Sequence, residues 1–149
     1  MYIIKVKYGR NLRGFRQSLQ RLRHEMMNLN RPLLYTSSGG WIPEADMYET
    51  AREIIVVVNL AGVRRENIEV SFNEHWLFVK GRRFEPASTG SPARYHQLEM
   101  GYGEFERCFP IPAAIDRNRT DASYEDGLLS VVMKKAERAL RVHVEVSAR

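Results

Sequence analysis

Residues 101–135 read GYGEFERCFPIPAAIDRNRTDASYEDGLLSVVMKK. Apolar side chains recur there at alternating positions, which is the period of a half-buried strand. Glu104–Phe109 forms one such run. Pro110 and Pro112 bracket Ile111 and stop pairing, because proline has no backbone N–H to give a ladder. Thr120–Tyr124 and Leu128–Met133 flank Glu125-Asp126-Gly127, and Asp-Gly is a strong hairpin signal because glycine accepts positive φ. Three strands joined by tight connections, with no convergent set of reactive side chains, point to a module that works through its surfaces.

The pattern continues upstream. Glu53–Leu60 (EIIVVVNL) is a β-branched run suited to a central strand, followed by the turn Leu60–Val63. Asn67–Phe72 alternates with Ile68, Val70 and Phe72 on one face. Asn73-Glu74-His75 turns the chain, and a further strand starts at Trp76. Eight or so short strands without intervening helices predict an all-β, immunoglobulin-like antiparallel β-sandwich over residues 41–135. Phe84–Ala93, with two prolines, a glycine and three hydroxyl residues, is loop-like. Within the same excursion Tyr95–Glu99 is a short, weakly apolar strand that buries little and suits pairing with another chain.

Two extensions flank the sandwich. Residues 1–40 are expected to form an N-terminal arm ending at the polar stretch Thr36–Gly40. In it Phe15, Leu19, Leu22, Met26 and Leu29 recur at helical spacing, predicting an amphipathic helix over about 12–29, capped by Asn11 and ended before Pro32. Residues 136–149 form an extended tail in which Val142, Val144 and Val146 alternate with polar residues. It is too thin to fold alone and reads as a strand that docks on a sheet edge or groove.

Composition narrows the function classes. The chain has 149 residues, of which 44% are hydrophobic and 28% charged, as expected for a soluble globular protein. No apolar run reaches the length of a membrane span, and the opening MYIIKVKYGRNLRGF lacks a small-residue cleavage site, so stable membrane insertion and secretion are not expected. One cysteine, Cys108, permits no intrachain disulfide and fits a reducing cytoplasm. Charge is uneven: residues 1–43 hold eight Lys/Arg and one acid, against 15 basic and 17 acidic residues beyond. That basic arm is either a solvated helix face or a contact for an anionic partner.

Reactive residues do not converge. His24, His75, His96 and His143 are far apart, Cys108 has no neighbouring Cys or His, and no metal-ligand spacing occurs. Ser37, Ser38, Ser88 and Ser91 lie outside any strand–turn–helix setting for a nucleophile. Cys108 reads as an inert small residue. No enzyme, cofactor or metal is expected. Arg107, on the same face as Phe105 and Phe109, is the exception in kind. A charge there needs a partner if it is buried, so it is either an interface ion pair or solvent-exposed.

Five segments in order resemble the small heat-shock protein family, whose core is the alpha-crystallin domain. WIPEADMYET (41–50) resembles the family's opening, NLAGVRRENIEVSF (59–72) its leucine–proline–glycine–valine turn and following strand, and WLFVKGRR (76–83) its next strand. GEFERCFPIPAAID (103–116) and ASYEDGLLSV (122–131) resemble its two later signatures. Ala61 stands in place of the usual proline, Met133-Lys134-Lys135 replaces leucine–proline–lysine, and the tail's isoleucine pair appears as valines. Each valine carries one methylene fewer than isoleucine, about 0.8 kcal/mol of burial apiece, so docking should be weaker. Val142/Val144 and Val144/Val146 are both possible docking pairs.

The resemblance implies an ATP-independent holdase that binds partly unfolded, non-native client proteins and prevents their aggregation under stress. It implies dimers that assemble into larger homo-oligomers, and ATP-dependent refolding chaperones as further partners. Of the family's types, the non-animal one is matched, with Tyr95, His96, Gln97, Leu98 and Glu99 swapping to the partner's sheet and Arg107 at the dimer interface. The arm residues Phe15, Leu19, Leu22, Met26 and Leu29 would serve client binding and oligomer contacts, and the valine tail would link dimers. The rival reading is a sandwich adaptor whose basic arm binds anionic membrane or nucleic acid.

Overall fold

The computed structural model describes residues 1–9, 41–73, 75–86 and 94–137. Nine strands run in chain order: β1 (Tyr2–Ile3), β2 (Val6–Tyr8), β3 (Ala45–Glu49), β4 (Glu53–Asn59), β5 (Ile68–Asn73), β6 (Trp76–Arg83), β7 (Gly103–Pro110), β8 (Ile115–Glu125) and β9 (Leu128–Lys135). They build two sheets, ordered β1-β8-β9-β4-β3 and β2-β5-β6-β7.

The two sheets face each other across an apolar core to which the strands send alternate side chains. β4 sends in Ile54, Val56 and Val58, β9 Leu129, Val131 and Met133, and β8 Ala122 and Tyr124. The facing sheet supplies Ile68, Val70 and Phe72 from β5, Leu77 and Val79 from β6, and Phe105 and Phe109 from β7. Each large aliphatic of this set stabilises the fold by about 1.5–3 kcal/mol through burial. A one-residue slip of any strand would turn these side chains to solvent, so the register is strongly specified.

Turn chemistry closes the ends. Thr50 joins β3 to β4: its hydroxyl oxygen accepts from the Glu53 N–H at 2.9 Å and the Arg52 N–H at 3.2 Å. The β8–β9 hairpin turns at Asp126 and Gly127, both at positive φ (52° and 81°). Glycine is needed at 127 for a second reason, since a Cβ there would lie 2.8 Å from the Ala61 Cα. The hairpin is thereby pressed against the Leu60–Val63 turn, and the Leu60 N–H donates to the Gly127 carbonyl at 2.7 Å. The Tyr124 hydroxyl reaches the same turn, 2.9 Å from the Leu60 carbonyl oxygen and 2.8 Å from that of Val63.

The sandwich expected from the sequence is the fold observed, with three differences in its parts. Residues 1–40 were assigned to a separate arm, yet Tyr2–Tyr8 belongs to the sandwich and pairs with both sheets. Ala45–Glu49 is a strand of its own, paired along its length with β4. Tyr95–Glu99, expected as a strand, forms none within the protomer. Its residues are all exposed there and join neither sheet. The helix expected over about 12–29 and the tail residues from 138 onward lie outside the described residues.

Candidate interaction surfaces

No group of three or more His, Cys, Asp or Glu side chains among the described residues is placed to hold a metal ion. Among them also no helix is long and apolar enough to cross a membrane. The Cys108 thiol sits opposite Phe78 on the outer face of its sheet. Burial, with Glu106 beside it, pushes the thiol up to about 12. It is therefore protonated at neutral pH and a poor nucleophile.

The features that stand out are edges. In a two-sheet sandwich each sheet has two outer strands whose backbone groups can accept another chain. At one side of this molecule those strands are β3 and β7. On β3 the side chains of Met47 and Tyr48 are exposed. The stretch before it is held by β7: the buried Arg107 guanidinium donates to the Pro43 carbonyl and lies 5.1 Å from the Phe109 ring centroid. Arg107 is 7% exposed, so solvent exposure is not its state. Removal from water pulls its pKa below the usual guanidinium value. Among the described residues its ties are to its own protomer, where it fixes the approach of the chain to β3.

The excursion between β6 and β7 is rooted at the same side. Arg83 stacks on Trp41, with its guanidinium carbon 3.5 Å from the ring centroid, and donates to the Gly101 carbonyl at 3.1 Å. Trp41 in turn meets Phe105 edge-on at 5.4 Å. Gly101 lies so close to this pair that a Cβ would come within 2.5 Å of the Trp41 Cβ. Beyond this root the chain carries Tyr95, Leu98 and Met100 at 70%, 72% and 62% exposure. Three large apolar side chains thus stand in solvent on a segment that joins neither sheet. His96, Gln97 and Glu99 are exposed on the same segment.

The opposite side is covered. β1 pairs antiparallel with β8 (Tyr2↔Tyr124, Ile3↔Ser123), and β2 pairs in parallel with β5 (Val6↔Val70, Lys7↔Ser71, Tyr8↔Phe72). Between them Ile4 donates its N–H to the Ala122 carbonyl at 2.9 Å, and its side chain is buried in the core between the two sheets. Val6 packs against the same core, and Tyr8 meets Phe72 edge-on at 6.1 Å. Outside, Arg65 donates to the Ile3 carbonyl at 3.2 Å, and Lys7 pairs with Glu69 at 3.3 Å.

Sequence reasoning had named the excursion residues and Arg107, and the structure puts Arg107 beside the β3 approach and roots the excursion nearby. It missed Ile4 and Val6, although YIIKVKY alternates as a strand should. It also missed the Trp41–Arg83 stack, whose members are 42 positions apart and carry no local signal. The proposed client-binding residues Phe15, Leu19, Leu22, Met26 and Leu29, and the tail residues Val142, Val144 and Val146, lie outside the described residues.

Comparison with known proteins agrees with this architecture. Residues 46–147 match the Hsp20/alpha crystallin family. Small heat shock protein C2 of Rickettsia felis is 31% identical over 105 residues, covering 70% of this chain and 68% of its own. Heat shock protein 16 of Schizosaccharomyces pombe is 28% identical over 127 residues, covering 85% of this chain and 89% of its own. A crystal structure of a small heat-shock protein from Xylella fastidiosa superposes with a TM-score of 0.62 at 26% identity, covering 74% of this chain and all of that one. The chain belongs to the Hsp20/alpha-crystallin family of small heat-shock proteins, with that family's general chaperone role and self-association.

Proposed function

We propose that this protein is an ATP-independent holdase of the cytoplasm, which binds partly unfolded proteins and keeps them from aggregating. The observation that carries the reading is the exposed row Tyr95, Leu98 and Met100 on an excursion rooted beside the open β3 strand. Its residues are expected to add as a strand to the outer edge of β3 in a second copy, with main-chain hydrogen bonds giving affinity and alternate side chains giving register. Arg107 would support that dimer by holding Pro43, two residues before β3, in place. Val142, Val144 and Val146 would then link dimers, and the Phe15–Leu19–Leu22–Met26–Leu29 stripe would take clients when loosened from the assembly. Met26 adds a soft, adaptable contact suited to varied partners. ATP-dependent refolding chaperones would receive the held clients.

Binding of this kind is mass action on exposed apolar surface and needs no chemical step. The test is suppression of light scattering from a heat-labile enzyme, with and without ATP. Equimolar subunits should suppress it equally in both. A Tyr95→Ser/Leu98→Ser variant should elute as a smaller species. No suppression at any heating temperature would sink the reading.

A further inference from the structure

We propose that the outer face of the β2-β5-β6-β7 sheet around Phe78 is the resting seat of the arm's apolar stripe, so that residues 12–29 lie on their own subunit until they are displaced. The consequence for client binding rests on the role proposed above for the stripe; the seat itself does not.

Burial on that face is the first observation. Among the described residues two buried large apolar side chains, Ile55 and Phe78, lie outside the core between the sheets. Ile55 has Tyr48 and Val132 as its cross-strand neighbours. Phe78 is larger, and its cross-strand neighbours are Ser71 and Cys108. Both are too short to enclose a phenyl ring on a sheet surface. Lys80 comes within 5.9 Å of the ring centroid, but its own side chain is 44% exposed. Phe78 is nonetheless only 5% exposed. The cover extends to β7. Cys108 is half-buried, and the Glu106 side chain is 12% exposed although Lys80, its ion-pair partner at 3.0 Å, is far more open. An outer sheet face is ordinarily solvated, so a phenyl ring this far out of water there lies under a second layer.

The path of the chain says what supplies that layer. At Tyr8 the backbone lies on β2, one edge of the sheet, level with Phe72 and through it with Leu77 and Phe109. At Trp41 it lies against Phe105 of β7, the other edge, where Phe105 is level with Gly81. Residues 10–40 therefore connect diagonal corners of this sheet. Three strand spacings and four residues of rise make that diagonal roughly 20 Å. Phe78, on β6 between Leu77 and Gly81, lies near its middle. The inner face is filled by the core, so the connection runs over the outer face or around an end. The covered Phe78 favours the outer face. A helix over residues 12–29 would measure about 27 Å, enough for the crossing. Such a helix is marginal alone in water, so its stripe of Phe15, Leu19, Leu22, Met26 and Leu29 needs an apolar partner. A seated stripe is closed to clients, which must compete with the subunit's own sheet for it.

Cys108 is the single cysteine and lies under the proposed seat, so thiol labelling of the full chain reads the cover directly. A Leu19→Asp/Leu22→Asp variant should react with a neutral maleimide at least roughly tenfold faster than the wild type, because solvent restores an ordinary thiol. Equal rates would overturn the seat. Should the variant not fold, a Ser71→benzoylphenylalanine chain with its arm unchanged decides. Photocrosslinks in mixed light- and heavy-isotope subunits should join position 71 to residues 12–29 of the same chain. Crosslinks only to a second copy, only to other segments, or none at all would end the proposal. Phe78→Ser leaves the stripe intact and separates the seat from the client role. It should suppress aggregation at a lower subunit ratio than the wild type. If the crosslinks fall on 12–29 of the same chain while Phe78→Ser suppresses no better, the seat stands and the client role of the stripe fails.

Discussion

Removing one oxygen from Tyr124 tests how the closed end of the sandwich is held. In a Tyr124→Phe variant the ring stays, and only the hydroxyl between the Leu60 and Val63 carbonyls is lost. The Leu60 carbonyl keeps a donor, because the Val63 N–H also reaches it at 2.9 Å. The Val63 carbonyl loses the hydroxyl partner. One buried acceptor left without a donor costs about 1–3 kcal/mol. With one orphan and no lost methylene, the expected loss is about 1–2 kcal/mol. For a domain near 100 residues each kcal/mol lowers Tm by about 4–8 °C. Urea unfolding at fixed subunit concentration is the assay, since self-association couples to apparent stability. The midpoint should fall with an unchanged slope. A second readout uses pH. Burial holds the Tyr124 phenol above its ordinary value of 10.0, with Arg83 partly opposing. A raised folded value means that the neutral phenol's contribution is complete below 10.0 and is lost as pH rises through the folded value. The gap between wild type and variant should therefore narrow on the alkaline side. A variant within about 0.3 kcal/mol of wild type at pH 7 would refute the account of this contact, given the smallest cost expected of an orphaned acceptor.

Other expectations follow from the same contacts. Gly101→Val should displace Trp41, costing about 1–3 kcal/mol by overpacking and shifting the tryptophan emission; an unchanged spectrum and midpoint would show that the approach to Trp41 is not tight. Arg107→Met keeps volume but leaves the Pro43 carbonyl without its donor, so a loss of about 1–3 kcal/mol is expected, and denaturant titration of the variant measures it. Cys108 should resist a thiol reagent at pH 8 in the native protein and react promptly in urea, because its thiol is raised to about 12; fast native labelling would mean that it is exposed.

Most of the sandwich could be read from alternation, since burial on one face imposes a period of two on the sequence. β5, β6, β7 and β9 announce themselves in that way, β4 does so by its β-branched run, and Asp126-Gly127 marks the hairpin between β8 and β9. The beginning of β8 was hidden because its register shifts between Ile115 and Thr120, which breaks the period. β3 was hidden for another reason. As an edge strand, ADMYE buries little and shows no apolar face. The site was less legible than the fold. Tyr95 and Leu98 could be singled out as apolar residues in a polar excursion, but Arg83 stacked on Trp41 depends on two distant segments meeting. Ile4 and Val6 were overlooked because the basic residues that follow them drew the whole of residues 1–40 into one arm.

The pairing of residues 2–8 also changes how many open sides the sandwich presents. A bare sandwich of this type is a brick with two sticky sides and could polymerise without limit by adding neighbours at both. With residues 2–8 laid across β5 and β8, one side is capped. The edges that stay open are those at β3 and β7. Seven residues near the chain's beginning thus leave the sandwich with one open side where it would otherwise have two.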